Sequence, residues 1–251
     1  MAKLKRLTRG KWIFLLILIA AVVLILIIAR AVGKRGADPT ARGLELLDAQ
    51  ASRNTADIES EIKEARKERD AADAALTTPE GRKARYEGAV IVGDSVAEGL
   101  IDYDILPNSS VVAHRGASVK DSDEAVATVI SLAPSYVILD FGLNDLDIFA
   151  GDPDGFIAAY QSVYERIKEG LPQAKFGFCL VTPVPAVTVS ARPQFQYQSA
   201  FDDKIIAFCE NENIPYIETA DLVTEYESDN LHPASSFYGP FADRIANAMG
   251  F

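Results

Sequence analysis

From Glu87 to the C-terminus, five short apolar runs recur at intervals, and none alternates apolar with polar residues. They are 89–93 (AVIVG), 110–114 (SVVAH), 135–141 (SYVILDF), 176–182 (FGFCLVT) and 214–218 (IPYIE). Between and after them lie patterns of helical period at about 96–101, 119–131, 154–170, 195–212 and 236–249. A strand that is apolar on both faces must be covered on both faces. Helices separating such strands supply that cover and force parallel pairing. The expectation is one three-layer α/β/α domain over 87–251 with a five-stranded parallel sheet. If the strand order is 2-1-3-4-5, the first strand lies between the second and third, and their carboxyl-end loops converge where ligands bind in open parallel sheets.

The residues before Glu87 are of another kind. Residues 12–29 (WIFLLILIAAVVLILIIA) contain no charge, and Ala31, Val32, Gly33 and a snorkelling Arg30 extend the run to 12–33. That length suits a bilayer crossing. Residues 1–35 carry eight cations and no acid, five of them ahead of the run, so the sequence predicts a basic cytoplasmic tail at 1–11 and an exported C-terminal bulk. A cleaved signal peptide with Ala29-Arg30-Ala31 as its processing site is the rival, but the run exceeds an ordinary signal core of about 7–15 residues and the site contains an arginine. Residues 34–86 read as a connecting segment. Within it, 38–77 is a solvated helical stalk that begins at Asp38-Pro39 and stops at Thr77-Thr78-Pro79. Its 4-3 seam through Leu47, Ala51, Asn54, Ile58, Glu61, Ala65, Glu68 and Ala72 is half polar, so a homodimer paired through the stalk is the secondary reading.

The region 87–251 holds 8 Lys+Arg against 25 Asp+Glu, a poor surface for nucleic acid. Cys179 and Cys209 could pair outside the cytoplasm or stay as two buried thiols, and no metal-ligand spacing occurs.

Four pieces of this region carry chemistry. Ser95, in Gly93-Asp94-Ser95, follows the first strand at a helix start, where a hydroxyl can attack a carbonyl carbon and an unpaired N–H can face the developing charge. Gly116 follows the second strand and can bring another N–H close. Asn144, in Gly142-Leu143-Asn144-Asp145, follows the third and offers a side-chain amide. The chain has two histidines. His232 stands three residues after Asp229, close enough for the carboxylate to take the Nδ1 proton and leave Nε2 for Ser95. His114 ends the second strand and reads as a border or packing residue. Asp94 and Asp145 read as a turn brace and a loop anchor. Each piece alone is turn chemistry; their order beside successive strands gives them weight. The reading is a catalytic Ser95, His232 and Asp229 with an oxyanion hole from Ser95, Gly116 and Asn144.

The blocks VGDSVAEG, HRGAS, FGLNDLD and DNLHPASSFY resemble those of the SGNH (GDSL-type) hydrolase family, whose four letters fall here on Ser95, Gly116, Asn144 and His232. The first block departs slightly, reading GDSV where the family has GDSL or GDSI. The resemblance spans 87–251 and implies a flavodoxin-like α/β/α domain, a Ser-His-Asp triad and no metal cofactor. With the apolar run, the expectation is a single-pass, membrane-anchored extracytoplasmic esterase acting on acylated glycans of the cell wall or surroundings. A glycan O-acyltransferase and a lipase or thioesterase are alternatives that use the same blocks; a non-catalytic envelope scaffold is the alternative that uses none of them.

Overall fold

The computed structural model describes residues 9–33, 39–51 and 55–251, which fall into two compact units, Met1–Glu68 and Arg69–Phe251. The basic tail lies almost wholly outside the described residues, as do Asp38 and Asn54 of the stalk reading.

The first unit contains helix α1 (Arg9–Gly33), helix α2 (Pro39–Ala51) and the start of helix α3 (Thr55–Leu76). Among the described residues no helix is long and apolar enough to cross a membrane. Side chains of α1 are described from 17 to 30, so the span expected over 12–33 lies partly outside them. The apolar side chains from Ile17 to Ile28 in that stretch are exposed.

In the second unit α3 ends one residue before the predicted Thr-Thr-Pro stop, and a short helix, α4 (Pro79–Arg85), starts at once. Thr78 caps it by accepting a hydrogen bond from the Gly81 N–H at 3.0 Å, with Pro79 at the first helical position. Arg82 grips Asp243 with two parallel bonds of 2.8 and 2.7 Å, and the buried Tyr86 hydroxyl donates to the Ala242 carbonyl. The end of the connecting segment thus packs on the final helix.

The strands are β1 (Ala89–Gly93), β2 (Val111–Ala113), β3 (Tyr136–Asp140), β4 (Lys175–Cys179) and β5 (Tyr216–Ile217). They pair in parallel in the order β2-β1-β3-β4-β5. β1 is buried at every residue, as an apolar run between two helical layers requires. Helices α5 (Ser95–Asp102) and, at the C-terminus, α11 (Tyr238–Met249) pack together on one face; α6 (Asp123–Leu132), α8 (Pro153–Gly170) and α10 (Gln198–Glu212) pack in sequence on the other. Two short helices, α7 (Asp145–Ile148) and α9 (Ala186–Ala191), fill loops that the sequence left unassigned.

The fourth apolar run is longer than its strand. Leu180 still donates to the Ile217 carbonyl, but beyond it the chain turns into Pro183-Val184-Pro185, whose prolines offer no ladder donors. An aromatic cluster fills the layer behind β3 and β4: Phe156 stacks on Phe201, and Tyr160 meets Phe178 edge-on. The Tyr160 hydroxyl accepts the Phe141 N–H at 3.1 Å, which fixes the backbone where β3 releases the Gly142–Asp145 loop. Cys179 and Cys209 are both buried free thiols.

Candidate active site

The parallel order brings the carboxyl ends of β1, β2 and β3 side by side. Asp94 caps α5, its Oδ1 accepting the Val96 N–H at 2.9 Å. Ser95 is therefore the first helical residue, 8% exposed, and its own N–H finds no acceptor among the described residues. The other carboxyl oxygen of Asp94 accepts the Leu143 N–H at 3.3 Å, and the Asp94 N–H donates to the Asp140 carbonyl. One buried side chain thus joins the serine turn to the loop after β3. Asn144, on that loop, donates its side-chain amide to the Ala117 carbonyl at 3.0 Å. This joins the β3 loop to the turn after β2. Asp145 completes the fastening: it is wholly buried and accepts the Ser118 hydroxyl at 2.6 Å and the Val119 N–H at 3.2 Å.

Gly116 sits exposed in the tight turn closed by the Ala117 N–H on the His114 carbonyl, with φ of +80°. A Cβ there would meet nothing within 4 Å. The positive φ is a conformational reason for glycine at this position. The Gly116 N–H donates to no acceptor among the described residues.

The histidine loop, 225–234, follows β5 and is a small antiparallel excursion. Tyr226 bridges Pro233, Glu227 N–H donates to the His232 carbonyl, and Ala234 N–H donates to the Glu225 carbonyl. Pro233 therefore belongs to this bridge, and the last helix starts later, through a 3-10 turn at Ser235–Phe237. At the loop tip Asn230 takes the left-handed conformation, which asparagine tolerates. Asp229 Oδ1 accepts the N–H groups of Leu231 (2.8 Å) and His232 (3.1 Å), while its Oδ2 lies 2.6 Å from His232 Nδ1. That contact fixes the tautomer with the proton on Nδ1. The opposite ring atom, Nε2, accepts from Ser95 Oγ at 2.8 Å. His114 is exposed and stands outside this chain of bonds.

Side chains without any sequence signal brace the loop. Thr188 of α9 donates its hydroxyl to the Asn230 carbonyl, Tyr226 donates to the Pro183 carbonyl at 3.1 Å, and Tyr103 donates to Glu227 at 2.8 Å. Each bond joins positions 42 or more apart in the chain, so no local pattern could have revealed them.

The carboxyl groups separate into two environments. Burial works to raise Asp229, but its hydrogen bonds from the His232 ring and from two backbone N–H groups outweigh burial and hold it below its ordinary value. Beneath the serine turn, burial pushes Asp94 up to about 7 and Asp145 up to about 6. Burial and the neighbouring Asp94 charge raise Asp140 as well. Asp229 is the carboxylate held below its ordinary value beside the imidazole, while Asp94 and Asp145 brace backbone.

The family model that matches residues 80–238 is that of the GDSL-like lipase/acylhydrolase family. Solved structures of similar fold include a GDSL-like lipase from Bacteroides thetaiotaomicron, 19% identical, with a TM-score of 0.53 over 64% of this chain and 87% of that one. A putative acylhydrolase from Bacteroides fragilis is 18% identical, with a TM-score of 0.53 over 64% and 86%. A catalytic mutant of an acetylxylan esterase from Geobacillus stearothermophilus is 14% identical, with a TM-score of 0.50 over 65% and 94%. At these identities the likeness is one of fold. Comparison with curated proteins gives no significant match.

Proposed function

The chain belongs to the GDSL-like lipase/acylhydrolase family of ester-hydrolysing serine enzymes, and on that premise we propose that it is a membrane-anchored, extracytoplasmic esterase. Its substrates are acylated, chiefly acetylated, glycans of the cell wall or surroundings. The observation that carries the catalytic part is the unbroken run of hydrogen bonds from Ser95 Oγ through His232 to Asp229.

In this reading Ser95 Oγ attacks the ester carbonyl carbon while its proton passes to His232 Nε2. Asp229, held ionised, orients the ring and stabilises the imidazolium through Nδ1. Charge on the carbonyl oxygen falls to the free N–H groups of Ser95 and Gly116 and to the Asn144 amide, whose second N–H remains beyond the one given to Ala117. The imidazolium then gives its proton to the leaving alcohol oxygen, and an acyl-serine remains. Water, deprotonated by the same nitrogen, releases the acid and restores Ser95.

The anchor is argued from residues 12–33 and from the cations ahead of them. Apolar side chains exposed all round α1 between Ile17 and Ile28 support it, because such a helix in water would leave its whole surface unsatisfied. Location motivates the glycan, and an acetylxylan esterase of similar fold is in keeping with acetyl as the acyl group. The test is acetate release from O-acetylated wall glycan by the full chain and by Ser95→Ala. Release by the wild type alone is expected. Acetyl transfer to an added oligosaccharide in excess of hydrolysis would instead mark an acyltransferase.

A further inference from the structure

The two backbone N–H groups assigned to the oxyanion lie on different elements. Ser95 opens α5, while Gly116 sits in the turn after β2. The pairing of Gly93 with Ala113 sets the two strand ends side by side, and the ladder stops there. Residues 114–116 beyond it are exposed. The chain is next fastened at Ala117, whose carbonyl takes the Asn144 amide, and at Ser118, whose hydroxyl goes to Asp145. A Cβ on Gly116 would meet nothing within 4 Å, so packing against Gly116 itself does not hold its N–H in place.

One side chain of the exposed stretch reaches across to the nucleophile's helix. Arg115, directly before Gly116, bonds Asp102 through Nη2, and its Nε stands 3.8 Å from Glu98 Oε2. Both acids belong to α5. Asp102 is its last residue, and Glu98 lies one turn from the serine, its N–H donating to the Asp94 carbonyl at 3.0 Å. Glu98 Oε2 is shielded from solvent and accepts no hydrogen bond among the described residues, so this buried oxygen has the Arg115 guanidinium beside it. A planar, always-charged fork suits two carboxyl groups at once. The Arg115 and Asp102 side chains are 69% and 43% exposed, and an ion pair so open to water adds little to overall stability. What it can set is position.

We propose, given the reading of Ser95 and Gly116 as oxyanion donors, that Arg115 is a positioning residue. By tying the turn at 114–117 to α5, it holds the Gly116 N–H at the distance from the Ser95 N–H that the charged oxygen needs. The bonds of Arg115 go to the two acids of α5 and not to Ser95 or His232, so its effect reaches the reaction through its neighbour. Donors aimed at developing charge act in the transition state, so a displaced donor lowers kcat and leaves KM.

Steady-state kinetics of the full chain on 4-nitrophenyl acetate are compared for the wild type, Arg115→Met, Asp102→Ala, Gly116→Ala and the Arg115→Met/Gly116→Ala double variant. Arg115→Met is expected to lower kcat roughly tenfold, a part of the 10²–10³-fold that a lost donor costs, with KM and thermal midpoint close to wild type. Asp102→Ala breaks the same bridge from the far end of α5 and is expected to lower kcat in the same way. In the double variant Arg115→Met adds little to the loss from Gly116→Ala, because both act through one N–H. Unchanged kcat in Arg115→Met or Asp102→Ala, a fully multiplicative loss in the double variant, or a raised KM at constant kcat would overturn the role of Arg115. So would a fall in kcat accompanied by a lower thermal midpoint, which marks general loosening. Wild-type kcat in Gly116→Ala would overturn the oxyanion reading, and a wild type inactive on the ester would overturn the esterase reading itself.

Discussion

His232 Nε2 lies 2.8 Å from Ser95 Oγ although the two residues are 137 positions apart in the chain. The bond closes only because β1 and the loop after β5 end on the same edge of the sheet. Ser95→Ala, His232→Ala and Asp229→Asn should each reduce kcat on 4-nitrophenyl acetate, the first two by about 10³-fold or more. The Ser95→Ala/His232→Ala double variant should be no slower than either single one, because the groups act as a unit. Additive losses would show that they do not.

Asn144 gives one amide N–H to the Ala117 carbonyl and has one left for the substrate. Asn144→Ala should lower kcat by roughly 10²–10³-fold, or about 2.7–4 kcal/mol of barrier, with KM nearly constant. Gly116→Ala should give a smaller loss in kcat. Space is free for the methyl group, but φ of +80° is strained for alanine and the turn will shift its N–H. A KM effect without a kcat effect in either variant would move the oxyanion site elsewhere.

Asp94 should make stability depend on pH in an unusual direction. Its carboxyl is raised from 3.8 to about 7 by burial, so between those values the folded chain keeps a proton that the unfolded chain has released. The contribution is full below about pH 4, is lost as the pH rises towards 7, and is flat above. Asp145, raised to about 6, acts in the same sense. Asp94→Asn should therefore flatten the fall in stability between about pH 4 and 7, as followed by urea unfolding across that range. A slope identical to wild type would contradict the burial account.

Gly99 faces the buried ring of Tyr238, and a Cβ at that position would collide with it. α5 and α11 approach this closely only because the helix is bare there. Gly99→Ala should destabilise the chain by about 1–3 kcal/mol, the range for overpacking, visible as a lower thermal midpoint. A gain in stability from the better helix former would mean that the ring moves aside at no cost.

The sheet was legible because burial on both faces leaves an unbroken apolar signature, as in AVIVG and SYVILDF. His232 was legible as the partner of Ser95 because the chain has two histidines and one of them stands three residues after Asp229; strand order brought together the loops of Ser95, Gly116 and Asn144. Loop structure was not legible. α9 lies in a segment with prolines at 183, 185 and 193, which reads as irregular. α4 fell in the connecting segment past the stop of the stalk, because nothing local tells that Arg82 meets Asp243, 161 positions away. The role of Gly116 was legible only as a backbone donor; that its glycine answers to a positive φ required the turn itself. The braces of the histidine loop, Thr188 and Tyr103 among them, are long-range side-chain contacts that no spacing encodes.

Covalent labelling tests directly whether Ser95 is the nucleophile. The full chain is treated with a fluorophosphonate, digested and read by mass spectrometry. One modified residue is expected, Ser95, with labelling abolished by Ser95→Ala and slowed strongly by His232→Ala. Modification of a different serine, or undiminished labelling of Ser95 without the imidazole, would contradict that role.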